Sequence, residues 1–150
     1  MSGHFQYPSN IIIKEDGLYD FNDLFASEIK RLFVITGKGA MKENHVLTRL
    51  GEKAINNNIL MEVHSGIETN PSNLDADNAV KHCLDFSPDT VMGLGGGSSL
   101  DIAKIVAMIA TNGGSSWDYI SMTGNPGKEI KKEILPLILV PTTSGTGSET

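Results

Sequence analysis

The chain has 150 residues, 39% of them hydrophobic and 20% charged, with a formal net charge of −6, which suits one globular domain with a core of its own. Nucleic acid and anionic membrane both repel an acidic chain, so neither is expected as a general partner. The single cysteine, Cys83, excludes an internal disulfide and fits a reducing, cytoplasmic setting. The stretch Met1 to Asn10 is polar and lacks the apolar core of a signal peptide. The longest apolar run, Ile102 to Ala110, is about half of what a membrane span needs.

In chain order, Ile11 to Lys14 reads as a short strand and Asp20 to Arg31 as a helix, capped by Asp20 or Asn22, with Leu24, Phe25 and Ile29 on one face. Arg31 to Thr36 reads as a buried strand that stops at Gly37-Lys38-Gly39. Val46, Leu47, Leu50 and Ala54 then keep helical spacing until Asn56-Asn57-Asn58. Ile59 to Val63 is a further strand. Asn70-Pro71-Ser72 opens a helix, proline and a serine cap both suiting a helix start, with Leu74, Ala79, Val80, Cys83 and Leu84 as its inner face. Thr90 to Leu94 is a strand running into glycines. Ser99 to Thr111 is apolar nearly all round, as in a helix buried on more than one side. Residues 112–128 are loop-rich, with Trp117 and Tyr119 as anchors, and Ile134 to Val140 is a last strand. Strands alternating with helices, the strands continuously apolar, predict an α/β fold: a parallel sheet with helices on both faces.

The stretch Val91-Met92-Gly93-Leu94-Gly95-Gly96-Gly97-Ser98-Ser99-Leu100-Asp101 places three glycines between a strand and a helix. Glycines let a phosphate approach the backbone, and the helix start supplies N–H groups and partial positive charge. The alternative is a plain strand–helix turn with Ser98 as cap and Asp101 completing a capping box. The position fits the rule that ligands bind beyond the carboxyl ends of parallel strands, although the spacing is not G-x-G-x-x-G. A second stretch, Pro141-Thr142-Thr143-Ser144-Gly145-Thr146-Gly147-Ser148-Glu149, again follows a strand and offers hydroxyls and flexible backbone, as a ligand loop or a polar linker.

Together these stretches resemble the two N-terminal signatures of the iron-containing, or group III, alcohol dehydrogenases, G-G-G-S-x-x-D-x-A-K and P-T-T-x-G-T-G-S-E. Both are complete and in order, from Gly95 to Lys104 and from Pro141 to Glu149. Asn70-Pro71 and Thr36-Gly37-Lys38-Gly39 are similar to the family as well. The resemblance implies a Rossmann-like NAD(P)-binding domain over residues 1–150, cut near its carboxyl end. It implies that Gly95, Gly96, Gly97 and Ser98 cradle the pyrophosphate and that Asp101 stands near the nicotinamide. Thr142, Thr143 and Thr146 would line the adenine and ribose side, and Asn70 would touch the cofactor. For Asp101 and Asn70 the alternatives are helix capping and helix initiation.

Gly37 follows the strand expected to end near the adenosine ribose. An acidic residue there would hold a ribose hydroxyl and repel a 2′-phosphate; glycine leaves room and Lys38 adds positive charge, which favours NADP(H) over NAD(H). The alternative is that Gly37-Lys38-Gly39 is simply a turn.

The family's metal, Fe2+ or another divalent ion, is implied to sit on one aspartate and three histidines of a helical carboxyl-terminal domain, beyond Thr150. His4, His45, His64 and His82 lack the i, i+4 spacing of metal ligands and read as surface or packing residues, so no metal site and no catalytic residue is assigned. Ser98 and Ser144 have no signature histidine nearby in sequence, Cys83 reads as an inert core thiol, and Lys128, Lys131 and Lys132 as a solvated loop. The expectation is the nucleotide-binding part of an NAD(P)(H)-dependent alcohol dehydrogenase or aldehyde reductase for small primary alcohols or diols, homo-oligomeric, and inactive as residues 1–150 alone. A glycerol-type or sugar-phosphate dehydrogenase and a non-catalytic dinucleotide-binding module are the alternatives. A P-loop phosphotransferase is excluded for want of G-x-x-x-x-G-K-[ST].

Overall fold

The computed structural model describes residues 10–20, 29–124 and 126–149. The elements are β1 (Arg31–Gly37), α1 (Ala40–Glu43), α2 (Val46–Asn56), β2 (Leu60–Ile67), α3 (Asn73–Phe86), β3 (Thr90–Gly95), α4 (Gly97–Asn112) and β4 (Leu137–Pro141), with 3-10 turns at Gly17–Tyr19 and Ser116–Tyr119. The strands form one parallel sheet in the order β2-β1-β3-β4.

Alternation along β1 explains why its sequence is apolar without interruption. Leu32 and Val34, with Met92 and Leu94 of β3, pack on Leu50 and Ala54 of α2. Phe33, Ile35 and Val91 point to the other face and pack on Ala76, Ala79, Val80 and Cys83 of α3 and on Ile102, Ala103, Val106 and Ala107 of α4. Both faces are thus covered by helices, as a parallel sheet requires. Each large side chain buried here stabilises the fold by about 1.5–3 kcal/mol. Cys83 belongs to this core, and burial pushes its thiol pKa up to about 12, so the thiolate nucleophile is suppressed.

Polar contacts tie the amino-terminal ends of the strands. Asp89 Oδ2 accepts from the backbone N–H of Lys30 (2.9 Å) and of Arg31 (3.0 Å), joining the approaches to β1 and β3. The Arg31 guanidinium lies 4.4 Å from the Phe86 ring centroid and donates to the carbonyls of Phe86 and Ser87 at the end of α3. At the opposite end of α3, Ser72 and Asp75 form a reciprocal capping box, as the serine cap predicts.

Several boundaries differ from the sequence reading. Ile11 to Lys14 is not a strand: Ile13 is 94% exposed, and the segment that follows is held to α2 by Arg49, which contacts Asp16 at 3.1 Å and lies 3.9 Å over the Tyr19 ring. Of the helix predicted over 20–31, residues 21–28 lie outside the described residues, and Arg31 opens β1. Leu74 (68% exposed) and Leu84 face away from the sheet, because α3 turns Ala76, Ala79, Val80 and Cys83 inward instead. Trp117 is 55% exposed and is not an anchor; Tyr119 is, its hydroxyl donating to the Gly113 carbonyl at 2.6 Å. The last strand begins at Leu137, not Ile134. Strand β2 runs on to Ile67 through an irregularity: Ile35 pairs with His64 but Gly37 with Ile67. One extra residue on β2 there, with Gly66 at φ +101°, reverses the alternation and returns Ile67 to the α3 and α4 face.

No described helix is long and apolar enough to cross a membrane.

Gly93 sets the distance between β3 and α4. A Cβ there would lie 2.8 Å from Ala103 Cβ and 3.2 Å from both Leu100 Cα and Leu139 Cδ2. Gly93→Ala is therefore expected to destabilise the fold by about 1–3 kcal/mol, since the helix must lift off the strand, measured as a lower midpoint of denaturant unfolding.

A second prediction comes from β2 and α3. His64 Nδ1 and His82 Nδ1 lie 3.1 Å apart, so one donates to the other, and His82 Nε2 is 3.2 Å from Glu62 Oε1. Burial first, then the charge of His82, lowers the His64 pKa, against a smaller opposing pull from Asp75. The folded state thus favours neutral His64. Its contribution is present above the ordinary value of about 6.5 and is lost as pH falls through that value toward the lowered one. Stability measured from about pH 7.5 to about 5.5 should fall less steeply in His64→Gln than in the unsubstituted chain.

Candidate functional site

Chain connectivity fixes where a ligand can enter. Strand β1 leads to β2 on one side, whereas β3 leads to β4 on the other. Adjacent strands whose connections diverge leave a crevice at their carboxyl ends, the usual ligand position in such sheets. Here that crevice lies between the ends of β1 and β3, at Gly37 and Gly95.

The two glycines are there for different reasons. Gly95 has φ +147°, a conformation L side chains rarely adopt, and a Cβ on it would meet Ser99 Oγ at 3.0 Å. A Cβ on Gly37 would meet its nearest atoms, the Ile67 carbonyl oxygen and Ser99 Oγ, at 3.7 and 3.8 Å, which is ordinary contact. Neither positive φ nor crowding demands glycine at 37, so its effect is only to keep a side chain away from this strand end. At the same strand end Thr36 is 1% exposed, and its Oγ1 has no hydrogen-bond partner.

Helix α4 begins at once. Gly96 is its N-cap, with no side-chain cap bond. The N-cap lies two residues before Ser98, which leaves Ser98 inside the first turn and Asp101 beyond the capping position. The box predicted between them does not form. The leading N–H groups of a long helix therefore face the crevice uncapped by any side chain, with the partial positive charge of the helix behind them.

The threonine–glycine loop folds onto this turn. Thr142 N–H donates to the Gly95 carbonyl at 2.9 Å. A Cβ on Gly96 would lie 3.6 Å from Thr143 Oγ1, and one on Gly97 would lie 3.0 Å from Ser148 Oγ and 3.3 Å from Thr146 Cβ. Ser148 Oγ donates to Asp101 Oδ2 at 3.2 Å, while Thr146 Oγ1 donates to Glu149 Oε2 at 2.9 Å. Asp101 also lies 3.6 Å from Lys104. Residues 142–147 are exposed.

Of the residues singled out from sequence, Gly37, Gly95, Gly96, Gly97, Asp101, Thr142, Thr143 and Thr146 are thus drawn around one crevice, with Ser98 in the helix turn that floors it. Asn70 takes part in none of these contacts; it lies exposed between β2 and α3 with φ +58°. Lys38 is ion-paired with Glu68, the residue that follows β2. Sequence reasoning passed over Ser99, Ser148 and Glu68. Ser148 stood inside a signature, but its contact with Asp101 joins residues far apart in the chain. Glu68 carried no local signal at all.

Among the described residues, no group of three or more His, Cys, Asp or Glu side chains is placed to hold a metal ion. The residues do fit a phosphorylated ligand: a side-chain-free turn, an uncapped helix start and a ring of hydroxyls.

The chain is similar to known proteins in sequence and fold. A family model described as iron-containing alcohol dehydrogenase matches residues 8–150. The chain is similar to long-chain-alcohol dehydrogenase 1 of Geobacillus thermodenitrificans, 43% identical over 89 residues, which is 59% of this chain and 22% of that protein. It is similar to NADH-dependent butanol dehydrogenase A of Clostridium acetobutylicum, 33% identical over 131 residues, 85% of this chain and 32% of that one. Among solved structures, an iron-containing alcohol dehydrogenase from Thermotoga maritima superposes with a TM-score of 0.81 at 33% identity, over 98% of this chain and 40% of that one. The chain thus spans about a third or less of the length of these two curated relatives.

The strained backbone of the turn is open to test. Gly95→Ala must hold a side chain at φ +147° against Ser99, which is expected to cost about 1–3 kcal/mol. Thermal unfolding of Gly95→Ala and Gly37→Ala should show a clear loss for the first and little change for the second.

Proposed function

The chain belongs to the iron-containing alcohol dehydrogenase family, and from that premise we propose that it binds the nicotinamide dinucleotide of an alcohol dehydrogenase or aldehyde reductase. The observation that carries this reading is the turn Gly95-Gly96-Gly97, bare of side chains, at the β1/β3 crevice and against the uncapped start of α4. A pyrophosphate placed there takes hydrogen bonds from backbone N–H groups and gains from the helix dipole, so an acidic chain needs no lysine for it.

Gly96, Gly97 and Ser98 then hold the phosphates. Thr142, Thr143 and Thr146 supply hydroxyls on the nucleoside side. Asp101, tethered to Ser148 at 3.2 Å, positions the loop over the first turn of α4 and stands toward the nicotinamide. Asn70 is offered to the cofactor from the β2–α3 connection. When bound, the dinucleotide supplies hydride transfer at its nicotinamide ring. The substrates of the whole protein are small primary alcohols or diols and the matching aldehydes, and its compartment is the cytoplasm, in keeping with a lone buried Cys83.

Between the two dinucleotides, Gly37 and Lys38 favour NADP(H). With no side chain at Gly37 a 2′-phosphate meets no carboxylate there, and the Lys38 ammonium attracts it.

Titration of the full chain with NADPH and NADH tests this reading. NADPH is expected to bind more tightly than NADH. Gly96→Asp places a carboxylate beside the phosphates, and both affinities should fall by at least about fivefold, the Coulomb penalty for like charges near 4 Å in water. Tighter binding of NADH would overturn the preference. Indifference of both dinucleotides to Gly96→Asp, with the circular dichroism unchanged, would overturn the site.

A further inference from the structure

By sequence, Lys38 adds positive charge that favours a 2′-phosphate. In the structure its ammonium is ion-paired with Glu68 Oε1. The pairing follows from the irregularity in β2. The extra residue around Gly66 lets Ile67 pair with Gly37 and bury itself, and the next residue, Glu68, emerges beside the residue after Gly37. A carboxylate is thereby set against Lys38, the residue after Gly37, although position 37 carries no acid.

We propose that Glu68 is a specificity-determining residue for the dinucleotide, which neutralises Lys38 and pulls the choice back toward NAD(H). The inference rests on the dinucleotide reading of the Gly95-Gly96-Gly97 turn. Three physical points support it. Lys38 cannot serve a 2′-phosphate and Glu68 fully at once, because the charge is shared. A 2′-phosphate near Lys38 lies near the Glu68 carboxylate too, and like charges repel. A ribose hydroxyl has no such conflict, since a carboxylate accepts its hydrogen bond. Both side chains are more than half exposed, so the pair is weakly held and either partner is free to turn to a ligand.

The cofactor preference is therefore set by two strand ends together: Gly37 and Lys38 after β1, and Glu68 after β2. Gly37 sets no carboxylate against the 2′-phosphate, lysine attracts it, and glutamate opposes it.

The experiment is a titration of the full chain and of Glu68→Gln, Lys38→Met and the double variant with NADPH, NADH, and the fragments 2′-phospho-ADP-ribose and ADP-ribose. Glu68→Gln should tighten NADPH and 2′-phospho-ADP-ribose by about fivefold, the effect of removing one like charge near 4 Å in water, and should leave NADH and ADP-ribose unchanged or weaker. Lys38→Met should weaken the 2′-phosphorylated pair alone. In the double variant the two effects should fail to add, because the residues act on one another. Equal changes for phosphorylated and unphosphorylated ligands, or looser NADPH binding by Glu68→Gln, would overturn the role of Glu68 while leaving the dinucleotide site standing. Absence of binding by any of the four ligands to the unsubstituted chain would overturn the dinucleotide reading, and this inference with it.

Discussion

The passage from the buried strand β3 into α4 is made by glycines alone, Gly95 to Gly97, and the candidate site depends on that constraint. Gly93 lets α4 sit close over β3, where an alanine would place its Cβ 2.8 Å from Ala103. Gly95 then makes the turn at φ +147°, and Gly96 caps the helix without a side chain. Close packing and an exposed helix start thus have one cause. The glycines that allow the core to close also leave the N–H groups of α4 facing outward.

This arrangement separates local charge from global charge. The chain carries a net −6, yet the crevice is lined mainly by backbone dipoles and hydroxyls, with the Asp101 carboxylate bonded to Ser148 and Lys38 already paired with Glu68. Anion binding in such a place depends on oriented N–H groups rather than on accumulated cations. The threonine–glycine loop adds a second layer. Its contacts with the turn, Thr142 to Gly95 and Ser148 to Asp101, are single hydrogen bonds from an exposed segment. Such a segment is held weakly enough to move when a ligand enters.

The larger elements were legible because their signals are local. Continuous apolar runs identified β1 and β3, and Ser72 with its proline marked the start of α3. The two glycine-bearing stretches stood out by composition. Errors fell where neighbours decide. Leu74 and Leu84 fit a helical stripe as well as Ala76 does, but α4 packs so close to α3 that small residues take the interface. Trp117 looked like an anchor by size alone. The spacing of Ser98 and Asp101 mimics a capping box, and only the actual N-cap, two residues earlier, removes it.

Sequence by itself determined the parallel α/β order, the glycine turn, the threonine loop and the family they belong to, because each is written in consecutive residues whose backbone demands are local. Tertiary structure decided what those residues meet. It brought Gly37 to Gly95, laid Ser148 on Gly97 and Asp101, and set Glu68 against Lys38. The last pairing depends on one extra residue in β2, which reverses the side-chain alternation of the strand end. Register between strands is a property of their pairing, so no single segment could announce it.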